Sequence, residues 1–258
     1  MSRPGYVDIR YLEQLAKAVQ PLKKRTLELM NIREGSSAAD FGCGPATDTI
    51  SIARLVGPGG TVVGIDADDA MIAAAKANSS TAGVETITEY RCCDAVSTGL
   101  GSGVLDAARS ERLFQHVPEP SRVLDEMMRV TRSGGRIVVA DTDHSSLTID
   151  TDLDDTLWKL RRFYTGWVTN GCSGRKLYRM FRRAGLDAVS AEPVTVCTHS
   201  FEALSMAGEL SAVARDAIAA GALERDEWDA LSEECVAHSR EGSFYGSLTM
   251  IIVAGTRS

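Results

Sequence analysis

Apolar residues recur at steps of three and four between residues 8 and 31: Ile9, Leu12, Leu15, Ala16, Val19, Leu22, Leu27, Leu29 and Met30. That spacing predicts an amphipathic helix. Pro21 is expected to divide it into two, because proline suits a helix start. The period then changes. Ser37–Phe41 is a short strand that runs into Gly42-Cys43-Gly44-Pro45, and residues 46–56 read as a helix stopped by Gly57-Pro58-Gly59-Gly60. Thr61–Asp66 is a buried strand, Asp68–Ala77 an alanine-rich helix, and Glu85–Cys93 contains the next strand. Leu105–Arg109 is a weaker strand, Glu119–Thr131 a helix ended by Ser133-Gly134-Gly135, and Arg136–Asp141 a strong strand. Strand and helix thus alternate through residues 36–141, the pattern of a parallel doubly wound sheet.

Beyond Asp141 the alternation stops. Residues 142–150 read as a loop. Helices are expected over 151–169, 174–184, 201–220 and 224–240, with strands over 188–197 and 244–254. The predicted architecture is a single α/β domain with a mostly parallel seven-stranded sheet.

Composition narrows the function classes. Of 258 residues, 44% are hydrophobic and 24% charged, ordinary values for a globular chain. No apolar run approaches the roughly 18 residues that span a bilayer, and the N-terminal stretch lacks a signal-peptide core. A cytoplasmic protein with no membrane partner is expected. The net charge of −7 has the wrong sign for a polyphosphate partner, so no nucleic acid is expected. The run Arg161, Arg162, Arg175, Lys176, Arg179, Arg182 and Arg183 leaves a local basic patch open. The six cysteines form no CxxC pair. They are expected to be reduced and buried, with no metal site.

The first strand ends in Asp40-Phe41-Gly42-Cys43-Gly44, and a second acid, Asp66, ends the second strand about 20 residues on, where such folds hold a ribose. Glycine lets the backbone approach a ligand closely. A dinucleotide loop needs a third glycine at position 47, which is Thr47. Asp40 would repel a diphosphate but suit an ammonium. The charge pattern therefore favours S-adenosylmethionine, an adenosine joined to an amino acid.

These residues resemble the class I S-adenosylmethionine-dependent methyltransferases. Asp40–Gly44 is similar to their D-x-G-C-G motif, Gly64-Ile65-Asp66 with Met71 to the second, and Cys93-Asp94-Ala95 to the third. Arg132-Ser133-Gly134-Gly135 resembles the R-P-G-G turn. The likeness is greatest to the ubiquinone/menaquinone-type branch acting on small molecules. Two departures stand out: Ala46 replaces a common glycine, and the fourth strand carries an unusual Arg109.

The resemblance implies a Rossmann-like fold with an antiparallel last strand, with residues 1–35 an N-terminal helical lid, 36–141 the cofactor-binding core, and 142–258 a substrate lid that also completes the sheet. It implies that Asp40, Gly42 and Gly44 line the methionine end and that Asp66 binds the ribose. Ala67 and Met71 would sit beside the adenine, with Cys93, Asp94 and Ala95 at its edge. It places Ser110 and Gln115 near the sulfonium. Tyr11 either closes over the cofactor or packs in the core. His116, with an ordinary pKa near neutrality, is a candidate base or a loop-holding hydrogen-bond partner. His144, which follows the two acids Asp141 and Asp143, is a second candidate base or metal ligand, or part of a simple turn. Trp158, Phe163, Tyr164 and Trp167 are either an acceptor wall or core packing. The expected activity is methyl transfer to an O, C or N nucleophile of a small molecule, in secondary metabolism, with a homodimer as the expected assembly. A cofactor-assisted cyclisation or rearrangement, or a non-catalytic partner that kept the fold, are the alternatives.

Overall fold

The computed structural model describes residues 20–258. Helix α1 (Gln20–Met30) carries Pro21 in its first turn, where the missing N–H costs nothing. Strands β1 (Ser37–Phe41), β2 (Thr61–Asp66), β3 (Thr88–Cys92), β4 (Leu105–Glu111) and β5 (Thr131–Ile149) alternate with helices α2 (Thr47–Val56), α3 (Asp69–Thr81) and α4 (Pro120–Val130). Helices α5 (Asp154–Trp167) and α6 (Ser173–Arg183) precede β6 (Asp187–Thr198). Helices α7 (Phe201–Ala207), α8 (Leu210–Ala219) and α9 (Arg225–Glu241) precede β7 (Gly246–Thr256). The seven strands lie in the order β3-β2-β1-β4-β5-β7-β6. β1 to β5 pair in parallel and β7 is antiparallel to both neighbours.

Alternate residues of the central strands point to opposite faces. Ala38, Val62, Ala107 and Val138 join Leu22, Met30, Ile52 and Val56 on one face. Ala39, Phe41, Val63, Ile65 and Ala108 join Leu124, Met127, Leu177 and Phe181 on the other. A third cluster, with Leu147, Leu160, Tyr164, Val213, Leu231 and Phe244, lies between α5, α7, α8, α9 and the ends of β5 and β7.

Three expectations change. Residues 142–149 are strand, not loop, because β7 continues to pair with them: Thr142 faces Met250, Asp143 faces Thr249, and after an irregularity Thr148 faces Ser247. The Ser146 hydroxyl spans the irregularity, accepting from the Thr249 amide at 2.8 Å and donating to the Asp143 carbonyl at 2.6 Å. The single helix expected over 201–220 is two, broken at Gly208 and at Glu209, which has φ +51°. The cysteines are free, but Cys92 and Cys197 are exposed rather than buried. No helix among the described residues is long and apolar enough to cross a membrane.

Gly174 seats α6 on β5. A Cβ there would lie 2.5 Å from the Asp141 carbonyl oxygen, closer than packed atoms approach. Gly174→Ala should therefore lower stability by about 2 kcal/mol, since one forced methyl typically costs that much. Urea unfolding measures it, and an unchanged midpoint would show that the helix seat has slack.

Candidate active site

The order of strands reverses between β1 and β4, and the carboxyl ends there form the crevice in which open α/β sheets bind ligands. After β1 the chain turns sharply. The amides of Gly42 and Cys43 both donate to the Ile65 carbonyl, at 2.8 and 2.9 Å. Gly42 and Gly44 have φ of +74° and +51°, a region open to glycine at no steric cost. A Cβ on Gly42 would sit 3.1 Å from that of Leu113. Ala46 also has φ +71°, a conformation that the glycine common in the family would adopt without strain.

Asp66 organises this edge. Its Oδ2 accepts from the Gly44 amide at 2.9 Å and its Oδ1 from the Asp68 amide at 3.0 Å. Each carboxylate oxygen has two lone pairs, so both keep one for a ligand. The side chain is half-buried, and burial raises its pKa. Asp68 caps α3 by accepting from Ala70 at 2.7 Å. The Cys93 amide donates to the Asp66 carbonyl at 2.9 Å, which joins the β3 end to the same crevice. Exposed Ala67 and Asp94, half-buried Met71 and buried Ala95 surround it.

Beneath the glycine loop lies a buried charge cluster. Arg109, 1% exposed, donates to Glu111 at 2.5 Å, to Asp40 at 3.3 Å and to the Thr26 hydroxyl at 3.0 Å, and pairs with Asp48 at 3.2 Å. Lys23 of α1 donates to Asp48 at 2.5 Å and Glu111 at 3.0 Å. Asp40 also accepts from Thr49 at 2.8 Å. Burial pushes Asp40 up to about 6, while Arg109 holds it down.

Across the crevice, Gln115 bridges two histidines. Its Oε1 lies 3.2 Å from His144 Nε2 and its Nε2 lies 2.9 Å from His116 Nε2. Burial lowers both imidazoles to about 4, so both are neutral at physiological pH. The Gln115 amide donates to Asp141, whose carboxylate also accepts from the Thr142 amide and the Ser173 hydroxyl. Burial raises Asp141 to about 7 against those three donors. His144 packs edge-on against Tyr164, ring centroids 4.4 Å apart.

The model of a methyltransferase domain family matches residues 32–185, more than half of the chain. The chain belongs to this family. Its cofactor is S-adenosylmethionine, so the protein is a methyltransferase that depends on it. The methyltransferase is 33% identical over 249 residues to an uncharacterised 37.1 kDa protein of transposon TN4556 from Streptomyces fradiae, covering 95% of this chain and 70% of that one. It is 28% identical over 188 residues to a demethylmenaquinone methyltransferase of Bacillus cytotoxicus, covering 67% and 79%. Among solved structures, geranyl diphosphate C-methyltransferase from Streptomyces coelicolor, in complex with Mg2+, geranyl diphosphate and S-adenosylhomocysteine, shares the fold. Its TM-score is 0.58 at 15% identity, covering 100% of this chain and 88% of that one.

The methyltransferase brings Gly42, Gly44, Asp66, Ala67, Met71, Cys93, Asp94 and Ala95 to one edge. Asp40 is 2% exposed, with Thr49 and Arg109 on its oxygens. Ser110 is fully buried and donates to the Phe41 carbonyl at 3.0 Å. Tyr11 lies outside the described residues. Of the four aromatics only Tyr164 reaches the histidines. Trp158 is 51% exposed, and with Phe163, Lys159 and Arg162 it lines an open cleft of about 450 Å³. Trp167 donates to Asp216 at 3.0 Å. Asp143 pairs with Arg175. Lys23, Asp48, Glu111 and Arg112 escaped sequence reading. No local period reports a cluster drawn from α1, α2 and β4, and the basic Arg109 on a central strand was the sole clue to it.

Proposed function

We propose that this methyltransferase methylates a small-molecule nucleophile of secondary metabolism, held between the Gly42–Gly44 loop and the His144–Gln115–His116 bridge. The observation that carries this reading is the neutral histidine pair, His144 buried and His116 half-buried, on the same sheet edge as the glycine loop. The net charge of −7 and the enclosing third apolar cluster suit a metabolite better than a nucleic acid.

The residues at the loop fit the cofactor. Backbone without side chains at Gly42 and Gly44 leaves room for the amino-acid end, with Asp40 beneath as a fixed negative charge. The free lone pairs of Asp66 would accept from the two ribose hydroxyls. Ala67, Met71, Cys93, Asp94 and Ala95 would border the adenine. S-adenosylmethionine supplies a methyl already activated on sulfur. What remains for the protein is aim and proton removal. Ser110 fixes the β4 end through Phe41. Gln115 sets the orientation of both imidazoles, with Asp141 holding its backbone. His144, neutral and with a bare ring nitrogen, would take the acceptor's proton while Tyr164 walls the ring. His116 would orient the acceptor from the other side.

The product decides between this and a rearrangement. With S-adenosylmethionine and hydroxylated test acceptors, the expected outcome is an acceptor heavier by one CH2 and one equivalent of S-adenosylhomocysteine. An isomerised acceptor of unchanged mass, with the cofactor intact, would replace the methylation reading by the rearrangement.

A further inference from the structure

Among the described residues, three buried side-chain nitrogens lack a hydrogen-bond partner: Arg112 Nε, His116 Nδ1 and His144 Nδ1. Gln115 joins the two histidines, and the Arg112 amide is held by Ala140, next to the Asp141 that holds the Gln115 backbone. Folded proteins leave few such groups unpaired, so three together at the mouth of a binding crevice point to a ligand that completes them.

The bridge dictates what that ligand must offer. An amide has one accepting oxygen and one donating nitrogen. Gln115 Oε1 faces His144 Nε2, which therefore carries the proton, and His144 Nδ1 is a bare acceptor. Gln115 Nε2 faces His116 Nε2, which therefore accepts, and His116 Nδ1 carries a proton. Turning the amide over would exchange the two histidines' roles but keep them opposite. One free nitrogen accepts and the other donates whichever way it faces.

Arg112 adds a second donor. It has φ +54°, a backbone state in which a long side chain is strained and which clusters at functional sites. That turn is held by its amide donating to the Ala140 carbonyl at 2.9 Å. Its Nε sits 3.6 Å from Glu111 Oε1, beyond hydrogen-bond range, and that oxygen already receives Lys23 at 3.0 Å.

Resting on the methyl-transfer reading, we infer that the acceptor carries a hydroxyl beside a carbonyl or carboxylate oxygen. The hydroxyl donates to His144 Nδ1, and the neighbouring oxygen receives His116 Nδ1–H and Arg112 Nε–H. A hydroxyl alone leaves two donors orphaned, and an anion alone leaves the acceptor orphaned.

Two measurements on the full chain test this. The chain has four histidines, so nitrogen-15 spectra of histidine-labelled protein resolve their tautomers, with His116→Gln and His144→Gln assigning the two signals. Opposite neutral tautomers are expected near pH 7, and identical tautomers would overturn the inference. With the protein saturated by S-adenosylhomocysteine, salicylate should bind at least about tenfold more tightly than benzoate or phenol. Against phenol salicylate makes two further hydrogen bonds; against benzoate it makes one, to a buried acceptor that benzoate leaves unpaired, a loss of comparable size. Salicylate binding also should shift both Nδ1 signals. Binding no tighter than benzoate would overturn the proposed class. Failure of S-adenosylhomocysteine to bind at all would instead count against the site assignment on which the inference rests.

Discussion

Asp66→Ala is expected to weaken S-adenosylhomocysteine binding by at least about 100-fold. The carboxylate would lose two charge-assisted hydrogen bonds to the ribose, each worth about 1.5–3 kcal/mol. It would also release the amides of Gly44 and Asp68, which it holds at 2.9 and 3.0 Å. Calorimetry reads the affinity, and urea unfolding of the same variant reads the fold. Asp66 sits at the end of β2 and only half-buried, so most of the fold's stability should survive. Asp66→Asn should lose less, because the amide oxygen still accepts once. A variant that binds as tightly as the parent would remove Asp66 from the cofactor site.

Arg109→Leu is expected to cost about 3–5 kcal/mol of stability, the usual effect of breaking a buried ion pair from one side. Asp40, Asp48 and Glu111 would then share only Lys23 and the more distant Arg112. The loss should depend on pH. Burial already raises Asp40 to about 6 from its ordinary 3.8. The folded state therefore binds a proton that the unfolded state gives up, and stability from this group is present below about 4 and lost as pH rises through 6. Without Arg109 the Asp40 pKa rises further, so the deficit of the variant should be larger at pH 8 than at pH 5. Adding Asp40→Asn should recover part of it at pH 8. A deficit that is flat across this range would mean that Arg109 matters for packing alone.

The legible and illegible parts of this protein differ in physical kind. Gly42, Gly44 and Asp66 could be read because a tight turn at a strand end demands glycine, and the acid follows at a fixed distance along the chain. The alternation of β1 to β5 could be read because burial on both faces demands apolar strands. The extension of β5 through Asp143 and His144 could not, since its residues are polar and only pairing with the distant β7 makes them strand. The bridge from the Gln115 amide to His116 and His144 could not, because it joins residues far apart in the chain and has no local signature. The helix break at Gly208 hides inside a run of apolar positions that keeps helical spacing on both sides.

The extended β5 also separates two timescales of change. His144 rides on the extension of β5, but its amide donates to the Gly171 carbonyl between α5 and α6 at 2.8 Å, so it should exchange when that segment opens, before the amides at the centre of the sheet. Helices α7 and α8 meet the sheet chiefly through side chains and can exchange earlier, independently of the bridge. Helices α7 and α8 can therefore drift in sequence while the Gln115 bridge keeps its place. A segment exchanged there between members of this family has to match the ends of β6 and β7 and also the face of α5 that carries Leu160, Tyr164 and Trp167.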